Sequence, residues 1–249
     1  MRYFISLSYI GTDFHGWQIQ PNAITVQQKI QEGLYVLLKE PVHIYGAGRT
    51  DTGVHAKQMY AHFDSEASFV LNELCYRLNS FVPDTILIKS IFSVTVDAHA
   101  RFDALCRRYE YLICSFKNPF LKERAWLLFN DLNYDLMNEA AAHLLDVNDF
   151  TSFSKLNSEV KSNVCKLKKA LWEKKDDTWV FTIESNRFLR NMVRSIVGTL
   201  VNVGKGNTSL EEFKAIVAKK NRSRAGISAP AQGLYLVHIE YPKELVHGH

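Results

Sequence analysis

The chain has 249 residues, 47% of them hydrophobic and 22% charged, with a formal net charge of +4. That is enough apolar surface for one large core or two small ones, and it excludes a disordered or low-complexity chain. No apolar run approaches the ~20 residues that span a bilayer, and the alternating N-terminus lacks the unbroken apolar stretch of a signal peptide.

In chain order, residues 2–10 alternate as a strand. Thr25 opens a helix with capping-box spacing to Gln28, and Ile30, Leu34, Leu37 and Leu38 form its apolar face. Strands are predicted at 42–47 and 57–63, then a helix at 69–80 through Leu71, Leu74 and Leu78, then a strand at 85–93. The order β-α-β-β-α-β then returns. A strand at 107–115 alternates Tyr109, Tyr111 and Ile113, and a helix at 135–146 carries Leu136, Ala140 and Leu144. Strands at 164–173 and 178–185 precede a long helix at 188–203. A short helix follows, capped by Ser209 with Glu212 three residues on, and then a last strand at 233–241. The expected fold is α+β: two tandem ferredoxin-like, RRM-like halves, 1–100 and 101–249, forming an extended mixed or antiparallel sheet with a central cleft. That topology hosts many functions and favours nucleic acid only modestly.

Cys75, Cys106, Cys114 and Cys165 form no C-x-x-C pair, so neither a zinc site nor a disulfide framework is expected, and a reducing cytoplasmic setting fits. Charge is uneven: residues 155–175 carry seven Lys against two Glu, and residues 187–224 carry nine Lys or Arg against Glu211 and Glu212. Such clusters suit a polyanion or, more blandly, a solvated surface.

Four segments carry candidate chemistry. The sharpest is Gly46-Ala47-Gly48-Arg49-Thr50-Asp51-Thr52-Gly53-Val54-His55-Ala56, between two predicted strands. Its glycines permit sharp turns, and a carboxylate beside a cation can stay ionised, as a nucleophile requires. A plain turn with Asp51 as local acceptor competes with that reading. So does an aspartic protease, since Asp51-Thr52-Gly53 spells its tripeptide, although a second carboxylate would have to come from another subunit. The dinucleotide and P-loop fingerprints fail. The second segment runs from Tyr9 to Gln20 and groups Tyr9, Phe14, Trp17 and Gln18, which could stack on and bond to bases or could cover the core. The third runs from Asp97 through Arg101 to Arg107-Arg108-Tyr109-Glu110-Tyr111. On a strand it places Tyr109 and Tyr111 on one face and Arg108 and Glu110 on the other. The fourth, Asn186 to Gly198, sets Arg187, Arg190 and Arg194 at helical spacing, against the helix dipole; a phosphate or buried carboxylate partner would explain them, and a plain exposed arginine face is the bland alternative.

Taken together and in this order, the segments resemble the TruA family of tRNA pseudouridine synthases along nearly the whole chain. The resemblance rests on the Gly46–Ala56 loop, Arg-Arg-Tyr-x-Tyr at 107–111, Phe-Leu-x-x-Met-Val-Arg at 188–194, the Tyr9–Gln20 signature, and Ala229-Pro230 with Gly233-Leu234. The chain departs from the family pattern at Asn186-Arg187, where members often carry a small residue and Gly.

The resemblance implies a catalytic Asp51, an active-site Tyr109, and an Arg194 that pairs with Asp51. It implies an Arg49 that helps hold the target nucleotide out of its stem. Thr50, Thr52, Gly53, Tyr9, Trp17, Gln18, Arg101, Arg108 and Leu189 are the other expected substrate contacts. It further implies a homodimer acting on uridines 38 to 40 of the tRNA anticodon stem-loop, with no metal, no small-molecule cofactor and no membrane partner. The rival from another class is a non-catalytic RNA-binding protein.

Overall fold

The computed structural model describes residues 1–155 and 162–246. Glu159 and Lys161 of the lysine-rich stretch lie outside these residues. Nine strands and six α-helices occur among the described residues, so the chain is α+β as expected. No described helix is long and apolar enough to cross a membrane. Contacts divide the chain into an N-terminal unit, Met1–Leu105 with Leu236–His249, and a central unit, Cys106–Tyr235. The sequence put all of 101–249 in one half, whereas the last strand mostly joins the N-terminal unit.

The N-terminal unit begins with β1 (Arg2–Tyr9), α1 (Val26–Leu38), β2 (Tyr45–Gly46), β3 (His55–Asp64), α2 (Leu71–Phe81) and β4 (Ile86–Val94). Its sheet runs β4-β1-β3, with β2 also on β3 and every pairing antiparallel. The Thr25 side chain caps α1 by accepting from the Gln28 amide. Only this half of the expected capping box is formed, and the Gln28 side-chain NH2 donates to Glu32 at 2.8 Å. Tyr3, Ile5 and Leu7 lie opposite Phe63, Ala61 and Met59, so one sheet face is apolar throughout.

The strand predicted at 42–47 shrinks to two residues for a visible reason. Side chains of α1 take the backbone of Ile44: Gln27 donates to its carbonyl at 2.8 Å, and its N–H donates to Gln31 at 3.1 Å. With both groups of Ile44 bonded to a helix, sheet pairing starts only at Tyr45.

The central unit contains β5 (Cys106–Cys114), β6 (Trp126–Leu127), α3 (Tyr134–His143), β7 (Leu167–Lys175), β8 (Thr178–Ser185), α4 (Met192–Gly204) and α5 (Leu210–Ala218). Strands β5, β8 and β7 are antiparallel neighbours, and β6 pairs parallel to β5. Helix α4 supplies much of the core with Ile196, Val197 and Leu200. Ser209 and Glu212 form the complete capping box expected at α5. β9 (Leu234–Glu240) and a short α6 (Lys243–Val246) follow. The Ile239 N–H in β9 donates to Gln58 of β3 at 2.8 Å.

One element differs in a way that bears on function. Periodicity predicts a helix from 188, yet α4 starts at Met192. Asn191 takes a left-handed backbone, φ 65°, and its side-chain amide donates to the Ser228 hydroxyl at 2.6 Å. Arg187 and Arg190 therefore precede the helix, and Arg194 alone of the three lies in its first turn.

Candidate active site

In the N-terminal unit the loop between β2 and β3 carries Asp51, half-buried. The loop is clamped by the chain that leaves β1. The Trp17 N–H donates to the Thr50 carbonyl at 3.2 Å, and the Gly53 N–H donates to the Phe14 carbonyl at 3.3 Å. The Val54 N–H donates back to the Asp51 carbonyl at 3.1 Å. The Tyr9 hydroxyl and the Thr50 hydroxyl are 2.9 Å apart and buried. At the end of the loop, His55 is fully buried, and its Nδ1 accepts from the Gly11 N–H at 3.0 Å. That bond makes Nδ1 an acceptor, so a neutral ring carries its proton on Nε2.

Gly16 shows how close the two segments lie. Its φ is +86°, and a Cβ there would sit 2.4 Å from the Thr50 carbonyl oxygen. Only glycine combines that backbone with that approach. The sequence reading missed His55 and Gly16 as supports. Their signal was spacing: His55 ends the Asp-Thr-Gly-Val-His run, and Gly16 directly precedes Trp17.

The expected contacts of this unit fall into two groups. Arg49, Thr52 and Gln18 are exposed and Gly53 is half-exposed, all on or beside the loop. Tyr9 is 3%, Trp17 2% and Thr50 8% exposed. Their side chains are taken up in supporting the loop rather than offered to a nucleotide. Arg101 is exposed, its guanidinium over the Phe102 ring at 5.7 Å.

In the central unit Tyr109 lies on β5, half-buried, with its ring edge-to-face to Phe188 at 5.0 Å. Tyr111, on the same strand face, is fully buried and donates to the Pro230 carbonyl at 2.8 Å. Burial raises its phenol far above the ordinary range, and the Arg194 charge pulls only weakly the other way. Arg194 is half-buried, and its Nε donates to the Ala229 carbonyl at 2.7 Å. The Ala229 N–H returns a bond to the Arg194 carbonyl at 2.9 Å. The segment 226–230 is thus a strap that orients Arg194. Gly198 lets it lie flat on α4, since a Cβ at that position would be 1.8 Å from the Ile227 carbonyl oxygen.

Two other expected contacts in this unit read differently. Leu189 is 5% exposed, a core residue. Arg108 pairs with Glu184 across the strands at 2.7 Å, on the sheet face opposite Tyr109.

The geometry thus offers a carboxylate fixed on a rigid loop and, in the other unit, a phenol beside an aromatic ring and a guanidinium held by a strap. Curated relatives match the chain along nearly its whole length. The chain is 48% identical over 246 residues to tRNA pseudouridine synthase A of Bacteroides fragilis, covering 98% of each protein. The chain belongs to the tRNA pseudouridine synthase A family, whose members are isomerases. It is also 51% identical over 241 residues to the synthase A of Azobacteroides pseudotrichonymphae, covering 97% of each. With that of Thermoanaerobacter sp. it shares 40% identity over 239 residues, 95% of this chain and 98% of the relative. A family model described as tRNA pseudouridine synthase matches residues 140–242. That match takes in Arg194 and its strap, while the full-length synthase relatives also span the Asp51 loop.

Proposed function

We propose that this chain isomerises uridine to pseudouridine at positions 38 to 40 of the tRNA anticodon stem-loop, with Asp51 as the nucleophile. The reaction breaks the N1–C1′ bond, turns the uracil, and joins C5 to C1′ with loss of the C5 proton. It needs no electron acceptor and no added group. Asp51 starts it by attacking the base at C6 or the sugar at C1′, or by removing a sugar proton. Arg194 is the cationic partner that the resemblance implies for Asp51. Tyr109 stacks on the extruded uracil and helps remove the C5 proton. Arg49 holds the nucleotide out of its stem, with Thr52, Gly53 and Gln18 beside it. Extrusion costs a few kcal/mol, which phosphate contacts from Lys and Arg offset.

One observation carries the proposal: a half-buried carboxylate sits on a loop that Thr50 and Gly53, on either side of it, tie to a second segment by backbone bonds. A plain solvated turn would not require that clamp. Further readings go with it: two ferredoxin-like halves, a homodimer whose subunits jointly form a basic RNA cleft, and a cytoplasmic setting. The β4-β1-β3 order with β2 on β3 supports the first, and four free cysteines support the last.

The test uses tRNA tritiated at uridine C5. Wild type should release tritium, and sequencing should place pseudouridine at 38 to 40. Asp51→Asn should abolish release while leaving tRNA binding nearly intact. Substantial turnover by the variant would remove Asp51 from its role, and tRNA binding with no isomerisation by wild type would favour the non-catalytic rival.

A further inference from the structure

The Tyr9 phenol is buried against the loop that carries Asp51, and the proposed reaction gives it no role. Its hydroxyl lies 2.9 Å from that of Thr50, the residue directly before Asp51. The Thr50 carbonyl accepts from the Trp17 N–H at 3.2 Å, so Thr50 is held at its side chain and at its backbone. Two residues after Asp51, the Gly53 N–H donates to Phe14 at 3.3 Å. The tyrosine ring lies 6.3 Å from the Trp17 indole, which is also buried, so the hydroxyl cannot swing away from Thr50 without opening the core.

We infer that Tyr9 is a positioning residue for Asp51. It acts through the Thr50 hydroxyl to fix the rotation of the loop, and it touches no nucleotide. The physical reason is leverage. A carboxylate must meet its target atom within a few tenths of an ångström, and a small rotation of the preceding residue moves it further than that. The pair is buried, so its bond is not exchanged for water when the loop shifts. The inference rests on the reading of Asp51 as nucleophile.

The test compares Tyr9→Phe, Thr50→Val, the double variant, Thr50→Ser and Asp51→Asn in single-turnover tritium release, with tRNA affinity measured by filter binding. Tyr9→Phe and Thr50→Val should each slow the chemical step by on the order of 10-fold while tRNA affinity stays within about 2-fold. The double variant should be no slower than either single one, because each removes the same bond. Thr50→Ser, which keeps the hydroxyl, should stay close to wild type. A Tyr9→Phe enzyme with weakened tRNA binding and an unchanged chemical step would make Tyr9 a substrate contact and overturn the inference. So would multiplicative losses in the double variant, or wild-type rates in both single ones. Should Tyr9→Phe fold poorly, Thr50→Val against Thr50→Ser decides the question alone. Asp51→Asn keeps the two claims apart. Turnover by that variant sinks the parent reading, whereas an inactive Asp51→Asn beside a fully active Tyr9→Phe sinks only this one.

Discussion

The two units hold their candidate catalytic groups by opposite means. Asp51 rides on a loop pinned by a neighbouring loop, through backbone bonds from Trp17 and Gly53 and a buried hydroxyl pair. Arg194 sits in the first turn of α4, and a strap from 35 residues later fixes its guanidinium. The first device holds the backbone around the carboxylate and tolerates no added methyl at Gly16. The second holds the side chain itself and tolerates none at Gly198. A carboxylate nucleophile on a short side chain needs an immobile backbone. A long guanidinium needs its head held, since its own stem gives it freedom.

The sharpest way to break this contrast is to add one methyl group to each device. Gly198→Ala puts a carbon against a backbone carbonyl that has no easy route away. It should lower the unfolding free energy by about 3–4 kcal/mol in urea titrations. Gly16→Ala forces a left-handed backbone on alanine and pushes on Thr50. It should cut turnover more than 10-fold, while costing about 2 kcal/mol of stability. If both variants lost stability equally and kept turnover, the clamp and the strap would be ordinary packing.

Acid should separate the units next. His62 of β3 is buried, and its pKa falls to about 4, through burial first and then the nearby charges of His99 and Arg2. His99 is lowered as well, again mainly by burial. A folded pKa below the ordinary 6.5 means that the unfolded chain takes up protons that the folded chain refuses. Stability is therefore full above about pH 6.5 and falls as pH drops toward 4, by up to about 3 kcal/mol for His62. Both histidines lie in the N-terminal unit, so its amides should lose hydrogen-exchange protection before those of the central unit. The Nδ1 of His62 accepts from the Ala100 N–H at 3.2 Å, so His62→Asn keeps an acceptor there. That variant should flatten the slope between pH 6.5 and 4.5; parallel curves would clear His62 of the effect.

The same contrast explains what the sequence could reveal. The Asp51 loop was legible because its glycines, its Arg and its Asp lie within a few residues, and turn chemistry is local. The strands β1, β3, β4, β5 and β8 were legible within one or two residues, β1 and β5 from alternation. The two-residue β2 was not, because Gln27 and Gln31 reach it from another element. The burial of Tyr9 and Trp17 was not legible either. Aromatic residues after a strand serve a base or a core equally well by composition, and only the Thr50 contact decides. The start of α4 was misread for the strongest reason of all: residues 188–191 have helical periodicity, and the break is imposed from Ser228.

That break supports the last and smallest test. Asn191→Gly keeps the positive φ and removes the amide bond to Ser228, so it should cost about 1 kcal/mol. Asn191→Ala removes the bond and also places a Cβ in the left-handed region, which adds about 1 kcal/mol or more. The gap between the two variants isolates the backbone contribution from the hydrogen bond, because neither retains the amide. Urea titrations measure it directly. If alanine proved as stable as glycine, the left-handed turn would not be what stops the helix. The chain would then wind back toward 188 as its periodicity predicts, adding about one turn ahead of Arg194. Turnover in the alanine variant would report whether Arg194 depends on that start or only on its bond to Ala229.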